Sequence, residues 1–463
     1  MRHAQGRAGE CQMARTTKQD QVRELQRTLY RAAKADPARR FHALYDKVSR
    51  RDVLERAWEL VRANKGAAGI DQQTIADVER YGIAKLLDEL AADLREGRWR
   101  PLPARRVFIP KPGREELRPL SIPAVRDRIV QTAVKLVIEP VFEADFLPCS
   151  FGFRPKRSQH DALQVLIDQS WKGRRWVLES DIANCFEAIP HSGLMAAVGE
   201  RVSDRNLLKL LRAMLRAGVM ADGAVHRDVT GTPQGGVISP VLCNVYLHRL
   251  DRQWTERGTG VLVRFADDLV VMCHSKREAE AALNALRSIL TELGLEPKAA
   301  KTRIVYLQEE GEGLDFLGFH HRRVRGEHRY RHLRFLARWP SREAMQRARN
   351  RIREITDSKR LRDPVEVIVQ ELNRFLRGWA NYFRYGNSRL HFTRITTYAL
   401  RRLALFVAKR HKRRTGYGMT VVAFVSPNRM GLVSLDRLVV TPSPFRDWRV
   451  KRGKPNAGGE GRR

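Results

Sequence analysis

The segment VLVRFADDLVVMC at 261–273 sets two acids, Asp267 and Asp268, side by side between two runs of Val, Leu and Phe. The apolar runs read as buried strands, so the segment is expected to be a β-hairpin with carboxylates at its turn. Carboxylates against an apolar hairpin are costly unless a cation compensates them, and a divalent metal is the usual compensation. A solvated hairpin tip has the same pattern, so the pair alone leaves both readings open. WVLESDI at 176–182 changes the balance, because it is another strand-like run that ends on an acid, Asp181. Enough chain separates the two runs for their strands to lie adjacent in one sheet, with three carboxylates converging. Three carboxylates can hold two divalent ions about 4 Å apart, an arrangement that activates an attacking hydroxyl and stabilises a leaving pyrophosphate. Hard oxygen ligands without histidine favour Mg2+.

Charge names the partner class. The 463 residues carry 87 Lys and Arg against 52 Asp and Glu, a net +35, which draws the chain toward polyanions and makes nucleic acid the default partner. A purely structural binder, or a protein lying on acidic membranes, leaves the acidic hairpin unexplained. No stretch approaches the roughly 20 apolar residues of a membrane span, and the N-terminal segment lacks the apolar core of a signal peptide. The expected location is cytoplasmic, with no membrane partner. Five scattered cysteines without a C-x-x-C pair read as reduced, isolated thiols, and none follows Cys273, which excludes a cysteine-ligated zinc module in the later part of this sequence.

The periodicity divides the chain. Helical spacing runs through Val22, Leu25, Leu29 and Ala32, then Val53, Leu54, Ala57, Leu60 and Val61. From about 105 short β-like runs (RRVFIPKP, RPLSIP) precede the helix-like VRDRIVQTAVKLVIEPVF. Ser239 and Pro240 read as cap and first turn of a helix under the sheet. After about 335 the chain reads as helical and basic. Met345, Ala348, Ile352 and Ile355 form one stripe, and Ile368, Leu372, Leu376 and Trp379 another. The Val-rich stretch 419–445 reads as a small β extension, and the last dozen residues as a disordered tail.

The ordered series LRPLSIP, SFGFRPKRS, DIANCF, GTPQGGVISP, FADD, KAAKTRI and LDFLGFHH closely resembles the successive blocks of reverse transcriptases of the group II intron-encoded kind. The resemblance covers roughly 40 to 415 and, given the absent cysteines, points to the endonuclease-lacking bacterial lineages. It implies an α+β right-hand polymerase: a basic extension at 1–34, fingers and palm with an antiparallel sheet at 35–325, an α-helical thumb or maturase domain at 335–415, and a C-terminal extension at 416–463. The implied activity is RNA-directed DNA synthesis by a two-metal mechanism, with maturase assistance to splicing. The partners would be an intron RNA template, a DNA primer or target, and dNTPs. A domesticated reverse transcriptase and a splicing-only maturase are the alternatives.

Residue by residue, the resemblance makes Asp181, Asp267 and Asp268 the magnesium ligands, joined by the backbone carbonyl of Ile182. Phe186 stands where the family places a ring under the sugar, positioned to clash with a 2′-hydroxyl. Lys111 and Arg118 match the fingers residues that grip the triphosphate, and Gln234 lines the nucleotide pocket, with Gly235 and Gly236 permitting close backbone approach. Lys301 matches the lysine near the leaving group, an ordinary solvated lysine being the alternative. Arg154 and Arg157 are expected on the template strand. Arg374, Arg377 and Arg384, from ELNRFLRGWANYFRYG, are expected to bind phosphates, while the interleaved aromatics read mostly as thumb core. The family's usual YADD is FADD here, and Glu187 stands where Asp is common. Neither change touches the three acids.

Overall fold

The computed structural model describes residues 18–110, 117–221, 224–226, 230–232, 235–326, 328, 331–425, 429–436 and 438–440. Its first hydrophobic core is organised around helix Val125–Glu143, whose near-continuous apolar run is buried on almost every side. Helices Lys18–Ala35 and Arg51–Ala63 pack on it, so Val22, Leu29 and Ala33 are core residues from the first described turns onward. Residues 1–17 and 441–463, the ends of the expected extensions, lie outside the described residues.

Eleven strands are present among the described residues. In chain order they are β1 (Ala104–Pro110), β2 (Leu117–Ile122), β3 (Trp176–Asp181), β4 (Val219–Ala221), β5 (Ala224–His226), β6 (Val261–Phe265), β7 (Asp268–Cys273), β8 (Arg303–Tyr306), β9 (Leu314–Phe316), β10 (Phe319–Arg325) and β11 (Arg334–Pro340). The central sheet has the order β6-β7-β3-β8, and every pairing in it is antiparallel. From Leu269 onward β7 is apolar, because both of its faces are covered there. Leu269, Val271 and Cys273 enter the first core beside helices Ser239–Arg257 and Lys276–Glu292, while Val270 and Met272 enter a second core with helix Gln159–Trp171. Ser239 is buried as the first residue of its helix, and Ile238 takes the cap position that the sequence suggested for Ser239.

The fingers sheet departs from the antiparallel expectation. Its order is β2-β1-β4-β5, and β1 pairs with β4 in parallel through Ala104–Val219 and Arg105–Met220. A parallel pair needs a long crossover, here the whole stretch between residues 110 and 219, which no local pattern announces. A third sheet, β11-β10-β9, links palm to thumb, so the helical region begins at Arg342 and not near 335.

The thumb helices Arg342–Ile355, Val365–Phe383 and Arg389–Arg410 bury the predicted stripes in the second core, which also takes Phe151, Leu163, Val177, Val263 and Val270 from the palm. Palm and thumb therefore share one interior. The expected β extension is absent among the described residues. Thr415–Met419 and the π-helical turn Thr420–Val425 lie on helix Arg389–Arg410, because packing of Val422 against that helix outweighs valine's preference for strands. The following segment is strapped across the thumb, with Val433 N donating to Asn373 Oδ1 at 2.8 Å and Val440 N to the Arg384 carbonyl at 2.7 Å. No helix among the described residues is long and apolar enough to cross a membrane.

Candidate active site

The acidic hairpin closes in two residues, Ala266 and Asp267, since Phe265 pairs directly with Asp268. Ala266 has φ +58°, the left-handed region that the first position of such a turn requires and that a residue with a Cβ adopts at some cost. Across the sheet Asp181 is the registered partner of Asp268, and Ile182 N–H donates to the Asp267 carbonyl at 3.2 Å. The strand end and the turn are thus laced together at the level of the acids.

The Asp181 side chain is 10% exposed, whereas 42% of the Asp268 side chain remains open, so the site is walled on one side and accessible on the other. The Asp268 carboxyl is pushed up to about 7, first by crowding from surrounding protein, then by the adjacent Asp267, and further by Asp181, with which it shares a hydrogen bond. Lys301 opposes this. Its ammonium lies 2.8 Å from Asp181 Oδ2 and 3.7 Å from Asp268 Oδ1. Burial disfavours the charged ammonium, yet Asp181, Asp268 and Asp267 carry its pKa above the ordinary lysine value.

The lysine is placed by the end of β3. Lys298 N donates to the Asp181 carbonyl at 2.7 Å, Lys301 N to the Lys298 carbonyl at 2.9 Å, and the Ser180 and Thr302 hydroxyls meet at 2.9 Å. Among the described residues no three Asp, Glu, His or Cys side chains form a ready-made metal cluster, and Lys301 bridges two of the acids. The chemistry of the donor set nevertheless fits a hard divalent cation: Asp181 and Asp268 share the Lys301 ammonium, and the neighbouring Asp267 adds its charge and helps drive Asp268 toward protonation.

Phe186 stands next to this cluster in the short helix Cys185–Ala188, entered through Asn184 at φ +44°. Its ring is partly buried and meets the exposed Phe153 edge-on, with centroids 6.4 Å apart. Thr232 N donates to the Phe186 carbonyl at 2.6 Å, which docks the start of the PQGG loop onto the same helix. Gly235, at φ +105°, lies so near β2 that a Cβ there would come within 2.5 Å of the Ser121 carbonyl. Gln234 and Lys111 lie outside the described residues, and of Arg118 only its backbone place in β2, opposite Ile109, is described.

Of the five arginines expected on nucleic acid, Arg154 is corrected. It is 8% exposed, and its guanidinium is consumed by Glu143 and by the carbonyls of Phe146, Leu147 and Ser150. It braces the SFGF loop from inside and leaves no donor for a template. Arg157 is half-buried with its guanidinium over the Phe151 ring. Arg374 and Arg377 are exposed on helix Val365–Phe383, opposite Leu372 and Leu376, and Arg384 is half-buried over Tyr385. The interleaved aromatics sit in the palm and thumb interior, where Phe319 meets Phe383 at 4.8 Å and Tyr382 at 5.7 Å.

The cysteines also need a correction, since Cys185 and Cys243 come together in the fold with sulfurs 3.8 Å apart. The residue that sequence reasoning missed is Arg264. Its signal was a charge in the middle of the apolar run VLVRF.

Fingers, an acid-bearing palm sheet and a helical thumb in this order define a right-hand polymerase. Residues 109–321 match the family "Reverse transcriptase (RNA-dependent DNA polymerase)", and residues 345–421 match "Group II intron, maturase-specific domain". Protein YkfC of Escherichia coli (strain K12) is 34% identical over 363 residues, 70% of this chain and 93% of that protein. Group II intron-encoded protein LtrA of Lactococcus lactis subsp. cremoris is 36% identical over 214 residues, 46% of this chain and 35% of LtrA. Among solved structures, telomerase from Candida albicans in complex with a TWJ fragment of telomeric RNA superposes with a TM-score of 0.39 at 13% identity, covering 75% of this chain and 68% of that one. The chain belongs to the group II intron reverse transcriptases that carry a maturase domain.

Proposed function

We propose that this chain copies intron RNA into DNA by a two-magnesium mechanism seated on Asp181, Asp267 and Asp268, and that the same RNA-binding surface aids splicing. The observation that carries the reading is the register of β3 against β7, which sets Asp181 directly opposite Asp268 at the tip of the acidic hairpin. Magnesium held by these carboxylates and the Ile182 carbonyl would make the primer 3′-hydroxyl a better nucleophile and balance charge on the leaving pyrophosphate.

The protein's own groups have separate tasks. Lys301 holds a proton beside the acids and can give it to the departing pyrophosphate. Phe186, braced by Phe153, leaves no room for a 2′-hydroxyl. Lys111 and Arg118 hold the triphosphate, a point charge and a planar fork suited to spread phosphate charge, and Gln234 lines the pocket beside the primer end. Arg157, Arg374, Arg377 and Arg384 meet template and intron phosphates, consistent with the net charge of +35.

The test is RNA-templated primer extension by Asp267→Asn, which should be abolished while RNA affinity is kept. Extension near the parent rate refutes the proposal.

A further inference from the structure

Arg264 is fully buried in β6, in the middle of the apolar hairpin, and all five of its N–H groups find acceptors. Nε and Nη2 form a two-point pair with the Asp251 carboxylate at 2.7 and 2.5 Å. The second Nη2 hydrogen goes to Ser150 Oγ at 2.9 Å, and Nη1 donates to Asn244 Oδ1 and to the Ala266 carbonyl, both at 3.1 Å. Asp251 is as buried as its partner. A buried pair of this kind adds little net stability over an apolar pair of the same volume, so its physical effect lies in fixing geometry.

What it fixes is specific. The Ala266 carbonyl belongs to the peptide that leads into Asp267, at a residue already held at φ +58°. Asn244, on helix Ser239–Arg257, carries the connection onward by donating Nδ2 to the Gly152 carbonyl at 2.8 Å. Gly152 is pressed so close to the hairpin that a Cβ there would lie 2.5 Å from Ala266 N. The next residue, Phe153, presents its ring to Phe186. The main chain reinforces the joint, since Arg264 N donates to the Cys149 carbonyl at 2.8 Å and Phe151 N to the Arg264 carbonyl at 2.9 Å.

We propose that Arg264, Asp251 and Asn244 form a positioning unit that ties the acid-bearing turn to the aromatic wall beside the nucleotide sugar, so that reaction rate and sugar selectivity are set by one buried joint. The inference rests on the proposed polymerase reading and assigns no contact with substrate to any of the three residues.

The experiment uses Asn244→Ala in the full chain, which leaves the Arg264–Asp251 ion pair whole while removing one acceptor of Arg264 Nη1 and cutting the link to Gly152. The expected result is a kcat for dNTP addition on an RNA template lower by about tenfold to a hundredfold, with KM and RNA affinity within about twofold of the parent. Preference for dNTP over rNTP should fall by about threefold or more in the same variant. Amide hydrogen exchange should quicken together in peptides covering 149–153 and 264–268. Arg264→Lys should move every readout further in the same direction, because an ammonium cannot reproduce the fork. If Asn244→Ala does not fold, Ser150→Ala removes a single hydroxyl and carries the same readouts. Parental kcat and sugar preference, or exchange quickened in only one of the two peptides, overturns the inference. A parent chain that fails to extend primers refutes the polymerase reading instead.

Discussion

Asp181 and Asp268 are direct partners across antiparallel β3 and β7, and both lie within reach of the Lys301 ammonium. Residues far apart in the chain are thereby brought to one point by strand register alone. A slip of one residue in either strand would turn one acid to the opposite face of the sheet.

Lys301 holds its place through the backbone bonds at the end of β3, so removing the side chain should leave the acids where they are. Lys301→Ala is expected to slow single-nucleotide addition by roughly a hundredfold, the scale of a lost general acid, without weakening RNA binding. Rapid-quench incorporation measures it. A rate within about threefold of the parent would reduce Lys301 to a counter-charge.

Phe186 faces Phe153 and is anchored through its backbone to Thr232. Phe186→Ala should raise rNTP incorporation relative to dNTP by about tenfold or more, read from competitive single-nucleotide insertion. Unchanged sugar selectivity would remove the ring from this role.

These features differ in how far the sequence disclosed them. The acidic hairpin and the Asp181 strand were legible because strand periodicity and burial are local, and the thumb stripes at Met345–Ile355 and Ile368–Leu376 followed helical spacing. Arg154 was misread because the resemblance carries over a residue's type and its place in the SFGFRPKRS block but not whether its guanidinium is spent internally, and only the fold brings Glu143 to it. β11 was missed because RFLARWP is interrupted by charge, yet Arg338 within it is buried. The residues after 415 carry strand-prone valines but pack as helix and strap, where tertiary packing decides.

Arg374 and Arg377 project from the thumb away from its core. In Arg374→Gln and Arg377→Gln the log–log salt slope of RNA binding should become shallower by roughly 0.7 to 0.9 for each phosphate that is no longer neutralised, with little dependence on RNA sequence. Filter binding across a salt series checks it. An unchanged slope would mean that other cations meet the RNA backbone.

His321 is fully buried between palm and thumb, and its ring nitrogens make no well-aligned hydrogen bond among the described residues. Burial, then Arg338, then His320 pull its pKa down to about 3, so the folded protein keeps it neutral. An unfolded chain takes up that proton below about pH 6.5, and stability should therefore fall as pH drops from there toward the folded value. His321→Leu should lose less thermal stability than the parent between neutral pH and about pH 4.5. Melting curves that decline in parallel would contradict this.

In the proposed mechanism Asp181 works with the hairpin acids as one cation seat. The direct measurement is magnesium-dependent addition of a single dNTP to a primer on an RNA template by Asp181→Asn, alongside RNA affinity. The expected rate loss is on the order of a thousandfold or more, equivalent to about 4 kcal/mol in the barrier, with affinity unchanged. Addition within about tenfold of the parent rate would contradict it.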